Sequence, residues 1–475
     1  MTASPAEPAP RHLWLVVALV CTGAFVGQVD ATIVQLALPT LGKVYDAPLQ
    51  HISWVALAYL LAFASFLPIF GRLCEMLGRK MLYLVGYGIF VAASALCGLA
   101  GSLQELLVYR FVQGIGGALL GANSISILVA TVPSAQRGRA LGYFAAAQAV
   151  GMSAGPALGG LILDGLGWRW VFWITVPFGL LAMVAGAWLL PSVPRRGAQR
   201  FDWGGMLLIG PALILVVSTL NHLSSWGLLS LATLGSVAGS ALLLWLLVRR
   251  ERSVPAPLVN PRLYGTPAFR SGALASVMAY ALLYAVFFLM SFALEHGYAE
   301  SPAQAGLRLA LVPVALGLTA PFSQDLKRLV GARRIGLLGM ALCLASVLLL
   351  MATLGLSPNH HLYDTLAFVG VGIGLGLFIA PNYNATLAAA PADLAGGAGA
   401  QLNLMRVLGT SLGVAAAATT LSARLGSGAD AAHGWMSASS DSLLAAVRQS
   451  LPVLVVIIVV AAVAARATVR PAHAK

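Results

Sequence analysis

Charge is scarce in this sequence, and acid is scarcer than base: Asp, Glu, Lys and Arg make up 9% of 475 residues, and 15 of these are acidic. Together with 59% hydrophobic residues and a mean hydropathy of +0.88, that excludes a soluble globular chain. Cysteine is nearly absent. The four present, Cys21, Cys74, Cys97 and Cys343, show no paired spacing, so neither a disulfide framework nor a zinc site is implied. There is no G-x-x-x-x-G-K-[ST] phosphate loop and no polar stretch long enough for a nucleotide-binding domain, which argues against direct use of ATP. All eight His fall in loops, tails or ends of apolar runs, so a catalytic His site within the membrane has no obvious residues. An enzyme is therefore not expected, nor a metal, nor a cofactor.

What is abundant is apolar sequence in runs long enough to span a bilayer. Fourteen such runs are expected, the first near 13–38 and the last near 450–467, which predicts an all-α polytopic membrane protein. The net charge of +13 does not point to nucleic acid, because the basic residues fall in short loops on alternate sides of the runs. Placing the N-terminus inside puts 21 of the 28 Lys and Arg at cytoplasmic segments, and an even number of spans returns the C-terminus there. The first run is too long for a secretory signal and is expected to stay as helix 1. Two six-helix blocks, 13–191 and 270–467, flank a linker, 192–269, that carries two further spans. Tails at 1–12 and 468–475 complete the layout. The halves echo each other in Gly71-Arg-Leu-Cys-Glu-Met-Leu-Gly-Arg-Lys80 and Gln324-Asp-Leu-Lys-Arg-Leu-Val-Gly-Ala-Arg-Arg334. Repeated halves with a site between them at the midplane are the usual build of a secondary transporter.

Against this apolar background Asp30 stands out. It lies about two-thirds of the way through the first run, where a carboxylate is costly enough to mark a functional site. At 1.5 Å per residue it sits roughly 24 Å from the start of the helix, and Arg110, in the oppositely directed helix 4, comes to about the same depth. Contact with Arg110 would favour the ionised carboxylate and burial the protonated one, a balance suited to binding and releasing a proton. The alternative is a static structural ion pair. Gln113 shares the Arg110 face, and Gly114 allows close helix approach. In helix 5, Gly151, Gly155 and Gly159 recur every four residues on one face, and Pro156 removes a backbone donor. Asp30 is the one acid deep in a span, so one proton per cycle is the default expectation.

These residues resemble the major facilitator superfamily, in particular its fourteen-helix drug/proton antiporters of the EmrB and QacA type. Asp30 to Pro39 looks like that branch's helix 1 motif, Gly71 to Lys80 its loop motif, Arg110 to Gly117 its helix 4 motif and Gly151 to Gly160 its helix 5 antiporter motif. Phe201 to Gly205 and Asn403 to Gly409 match further segments in order. The resemblance implies two six-helix bundles with an inserted helix pair, and proton-driven efflux of amphipathic small molecules across the inner or plasma membrane. It also implies proton coupling through Asp30 and Arg110, a helix 5 motif that shapes the interface between the halves, and a loop motif with Gly71, Glu75, Gly78 and Arg79 that gates the cytoplasmic side. Glu75 and Met76 depart from the motif's usual Asp and Arg. Glu75 can still place negative charge near a helix N-terminus, with that of helix 13 as the candidate.

For the cargo cavity, helix 9 offers Tyr280, Tyr284, Phe288 and Phe292 at four-residue spacing, a stripe that either lines the cavity or packs between helices. Asn123, Gln148, Asn382, Asn384 and Asn403 are polar groups in or near spans, candidates for the cavity or for hydrogen bonds between helices. Arg406 is a mid-membrane cation with no acid near it in sequence, so it needs a carboxylate elsewhere, backbone carbonyls or an anionic substrate. Glu295 and Arg308 are expected at the outer surface, as a pair or as two solvated charges. The 423–449 loop is long enough to contact a periplasmic adaptor, although its composition reads as flexible. A dedicated exporter or symporter of one metabolite, lipid or antibiotic is the alternative on the same fold.

Overall fold

The computed structural model describes residues 12–191, 201–227, 229–254, 257–391, 394–425 and 434–468. Both tails, the basic residues Arg195, Arg196 and Arg200, and the middle of the 423–449 loop lie outside the described residues.

Among the described residues there are no strands, and 14 helices are long and apolar enough to cross a bilayer. In hydrocarbon every backbone N–H and C=O must be satisfied within its own helix, which favours long uninterrupted ones. The first six are α1 (Leu13–Val44), α2 (Leu49–Leu77), α3 (Arg79–Leu99), α4 (Leu103–Thr131), α5 (Ser134–Gly165) and α6 (Arg169–Leu189). The central pair is α7 (Trp203–Trp226) and α8 (Leu231–Ser253). The last six are α9 (Pro267–Gly297), α10 (Pro302–Ser323), α11 (Arg333–Thr353), α12 (His360–Ala388), α13 (Gly397–Leu425) and α14 (Ser440–Arg466).

Two boundaries differ from expectation. Helix α1 runs through Pro39 to Val44 instead of stopping near residue 38, since an interior proline forfeits only one helix donor, and this puts Asp30 near the helix's middle. Helix α14 begins at Ser440, well before residue 450, because the amphipathic turn that opens it buries Leu443, Leu444 and Val447.

The two halves pack alike. In the first, α1 lies on α5 and α4 on both α2 and α3; in the second, α9 lies on α13 and α12 on both α10 and α11. The turns that lead into α3 and α11 match as well. Gly78 (φ 105°) and Gly331 (φ 87°) occupy equivalent places in the echoed segments, in a backbone region that strains any residue with a Cβ.

Three seams join the halves: α1 with α9, α2 with α13, and α5 with α10. The inserted helix α7 lies across the α2–α13 seam. Asn221 donates to Ser53 Oγ on α2 at 2.9 Å, Gln50 donates to Ser224 at 2.6 Å, and Thr419 on α13 donates to the Leu220 carbonyl at 2.6 Å.

Burial along α1 and α9 shows where the halves part. Every residue of α1 from Thr32 to Pro39, and of α9 from Ala281 to Leu294, is buried, whereas Phe25, Ala31, Met278 and Tyr280 are partly exposed. On the face where α1 ends, Trp435 donates to the Ala47 carbonyl at 3.2 Å and Thr40 to Glu295 at 3.5 Å. On the opposite face, the first turns of α5 and residues such as Phe322 near the end of α10 are exposed. The molecule is thus sealed on the face where α1 ends. We take the partial exposure of Phe25, Ala31, Met278 and Tyr280 to mark a cleft between the halves on the other face, ending near the level of Asp30.

Candidate functional site

At the blind end of that cleft sits one polar network. Helix α4 starts at the Ser102 cap, whose hydroxyl accepts the Glu105 N–H at 3.3 Å, and this sets Arg110 two turns into the helix. Asp30 is 0% exposed and Arg110 1%. The guanidinium donates to Asp30 Oδ2 at 2.9 Å and Oδ1 at 3.2 Å, to the Val55 carbonyl at 3.0 Å and to Gln113 Oε1 at 2.5 Å. Gln113 in turn donates to Asp30 Oδ1 and Ser94 Oγ, both at 2.8 Å. The Tyr59 ring lies 4.4 Å from the guanidinium carbon. Desolvating such a pair is expensive, and only this density of hydrogen bonds offsets it.

The sequence places Asp30 against Arg110 and Gln113 on the Arg110 face, and the structure brings all three together. Ser94, Tyr59 and the Val55 carbonyl were not, because a serine, a ring or a backbone acceptor on another helix has no signature until the helices are docked. Gly114 explains the docking: a Cβ there would strike the Tyr59 carbonyl and Ala62 on α2.

Helix 5 departs from expectation in an informative way. Gly151, Gly155 and Gly159 face Phe25, Thr32 and Ile33 of α1, inside the same half. Contact with the other half is made by Gly160, where a Cβ would strike the Pro302 carbonyl, and by the Pro156 carbonyl, which abuts Gly306. Four-residue spacing selects one face of a helix, and that face belongs to the larger α1–α5 contact.

In the loop motif, Arg79 donates to the Ser126 carbonyl near the end of α4 at 3.0 Å. Glu75 pairs with Arg72 at 3.1 Å, one turn back on its own helix, and among the described residues it makes no contact with the start of helix 13. Gly71 has open space where a Cβ would stand, so packing gives no reason for a glycine there.

The aromatic stripe divides. Tyr280 is partly exposed at the cleft and Tyr284, one turn on, is buried, while Phe288 is fully buried, 5.2 Å from Phe292, which meets Trp435 at 5.3 Å. Phe288 therefore belongs to the seal, since the stripe crosses from the cleft into the closed face. Asn123 is also not in the cavity: it is fully buried and donates to the Leu119 carbonyl of its own helix at 3.0 Å. Gln148 is half-buried on α5, three residues before Gly151. Asn382 joins α12 to α9 through the Gly272 carbonyl and Ser276, and Asn384 is exposed. Asn403 accepts from Arg406 Nε at 3.0 Å.

Asp30 is not alone among buried acids. Glu295, expected at the surface, is half-buried at the seal and accepts from Thr40, while Arg308 bonds the buried Glu300 and Asp364 instead, the latter at 3.4 Å. His360 and His361 stand beside Glu300. This cluster near the sealed face escaped the sequence reading because its members come from two separate segments, around residues 300–308 and 360–364. Asp30 remains the one at the cleft. We expect Arg308→Ala to lower the melting temperature in detergent by several degrees, since it leaves two buried carboxylates without their cation. Adding Asp364→Asn should recover part of the loss. An unchanged melting temperature in Arg308→Ala would mean that the cluster is solvated.

Comparison with known proteins places this geometry. The family model described as Major Facilitator Superfamily matches residues 20–414. The riboflavin transporter RibZ of Clostridioides difficile is 31% identical over 85% of this chain and 87% of its own. The tetracenomycin C resistance and export protein of Streptomyces glaucescens is 31% identical over 89% of this chain and 78% of its own. Drug efflux pump JefA of Mycobacterium tuberculosis is likewise 31% identical, over 85% and 79%. Among solved structures, a bacterial homologue of the human lysosomal transporter Spinster, in an inward-facing and occupied conformation, superposes with a TM-score of 0.69. It covers 96% of this chain and 98% of its own at 16% identity, which speaks for the fold.

Proposed function

The chain belongs to the Major Facilitator Superfamily, a multi-pass membrane transporter, and we propose that it exports amphipathic aromatic molecules in exchange for protons by alternating access. Asp30 is the proton carrier and Arg110 its partner. The observation that carries this reading is a buried carboxylate at the blind end of the cleft, held by a guanidinium and by an amide, both of which the cycle can release. The distribution of Lys and Arg supports placing the cleft mouth in the cytoplasm, with both termini inside and the sealed face outward.

The cycle follows from the chemistry. Protonation from outside neutralises Asp30 and frees Arg110. Cargo entering from the cytoplasm favours deprotonation, and unequal affinity for the two states links the flows. Relatives named for export of tetracenomycin C and for drug efflux support export of a drug-like cargo. The riboflavin transporter supports the second reading, a dedicated carrier of one metabolite.

Proteoliposomes loaded at acid pH and placed in alkaline buffer test the coupling, with riboflavin and tetracenomycin C as probes. Uptake of at least one probe above its external concentration is expected, as is its collapse when nigericin removes the pH gradient. Accumulation that nigericin leaves unchanged would sink the proton coupling.

A further inference from the structure

Four arginines outside the cleft mouth or at its end are matched by acids: Arg72 by Glu75, Arg110 by Asp30, Arg250 by Asp202, and Arg308 by Glu300 and Asp364. Arg406 is not. It lies nine residues into α13, about 14 Å along the helix from Gly397. Its Nε donates to Asn403 Oδ1 at 3.0 Å, and its guanidinium carbon stands 5.9 Å from the centre of the Tyr280 ring. Tyr280 is on α9, and both it and Arg406 are partly exposed, so the cation lies beside that ring where α13 packs on α9 at the end of the cleft. Among the described residues no carboxylate lies within 4 Å of it, and its two terminal nitrogens, with four N–H groups, have no described acceptor.

The nearest deep acid is already committed, because Asp30 accepts from both Arg110 and Gln113. The charges at the blind end therefore sum to one positive: Asp30 cancels Arg110 and Arg406 remains. A half-buried cation with unused donors and the Tyr280 ring beside it calls for a planar anion with two oxygens attached to an aromatic body.

We propose that Arg406 receives a carboxylate of the cargo, so that this transporter favours aromatic acids over the corresponding neutral or cationic molecules. The inference rests on the export reading for its physiological meaning, yet it concerns an equilibrium binding site and can be tested apart from coupling. Fluorescence titration of the purified chain with 1-pyrenebutyrate and with its uncharged methyl ester isolates the carboxylate. The acid should bind about tenfold or more tighter than the ester, the range expected for charge-assisted hydrogen bonds. In Arg406→Gln the ratio should fall to about one, with ester affinity held within about twofold.

A second variant guards against misfolding of the first. Asn403→Asp leaves the arginine in place but supplies an internal carboxylate where Nε now donates, and should weaken acid binding without weakening ester binding. A ratio near one in the unaltered chain, or a ratio that survives both substitutions, would overturn the proposal. An acid preference that vanishes in both variants upholds the site even if no pH gradient moves either probe, and in that case the export reading alone falls.

Discussion

Asp30→Asn is expected to abolish proton exchange while leaving cargo movement down its own gradient. Asparagine keeps the shape of the side chain and can still accept from Arg110 and Gln113, but it can neither carry a proton nor cancel the guanidinium. One proton moving inward is worth about 2.3 kcal/mol per 100 mV, enough to hold a neutral cargo at roughly a fortyfold gradient. In Asp30→Asn that gradient should relax to about one, and cargo-dependent proton release should drop to background. Exchange of labelled for unlabelled cargo, which needs no net proton, should continue. The fold should weaken as well, because Arg110 is left buried with an amide and a carbonyl for company, and losing one member of such a pair costs about 3–5 kcal/mol. Full coupled accumulation in Asp30→Asn would remove Asp30 from the mechanism.

The second large effect separates two glycines five residues apart. A methyl at Gly160 meets the Pro302 backbone, so Gly160→Ala cannot be accommodated without moving α10 away from α5 at the sealed face. Overpacking of this kind costs about 1–3 kcal/mol, and that cost falls on the conformer seen here and is relieved by opening the seal. The balance should shift about 5- to 150-fold toward the open seal. A methyl at Gly155 meets Thr32 within one half and burdens every conformer alike, lowering stability without bias. An impermeant maleimide applied from the sealed face to a Thr40→Cys reporter should therefore react much faster in Gly160→Ala and at the unaltered rate in Gly155→Ala. Equal rates in the two would show that the α5–α10 contact does not hold the seal.

How far such effects could be read from sequence varies by element. Span number and the Asp30–Arg110 pairing were legible because hydropathy and the cost of intramembrane charge act along one chain. The aromatic stripe of α9 was legible as a stripe but not as two environments, since nothing in its spacing tells Tyr280 from Phe288. Which half the helix 5 glycines face was likewise hidden, as were the acids around Arg308. Those depend on how separate helices dock, and a small residue or a surface-like Glu reads the same whichever neighbour arrives.

The inserted helix α7 gives the molecule a spine. The two halves meet along two lateral seams that packing makes equivalent, α2–α13 and α5–α10, yet among the described residues only the first is bridged by a helix hydrogen-bonded to both sides. A book bound along one edge opens widest along the other. If transport proceeds by the proposed alternating access, motion between the halves is expected to be widest at the α5–α10 margin, where Gly160 and Gly306 let the two backbones touch. On that mechanism the central pair of spans makes a one-sided hinge of what would otherwise be a symmetric rocker.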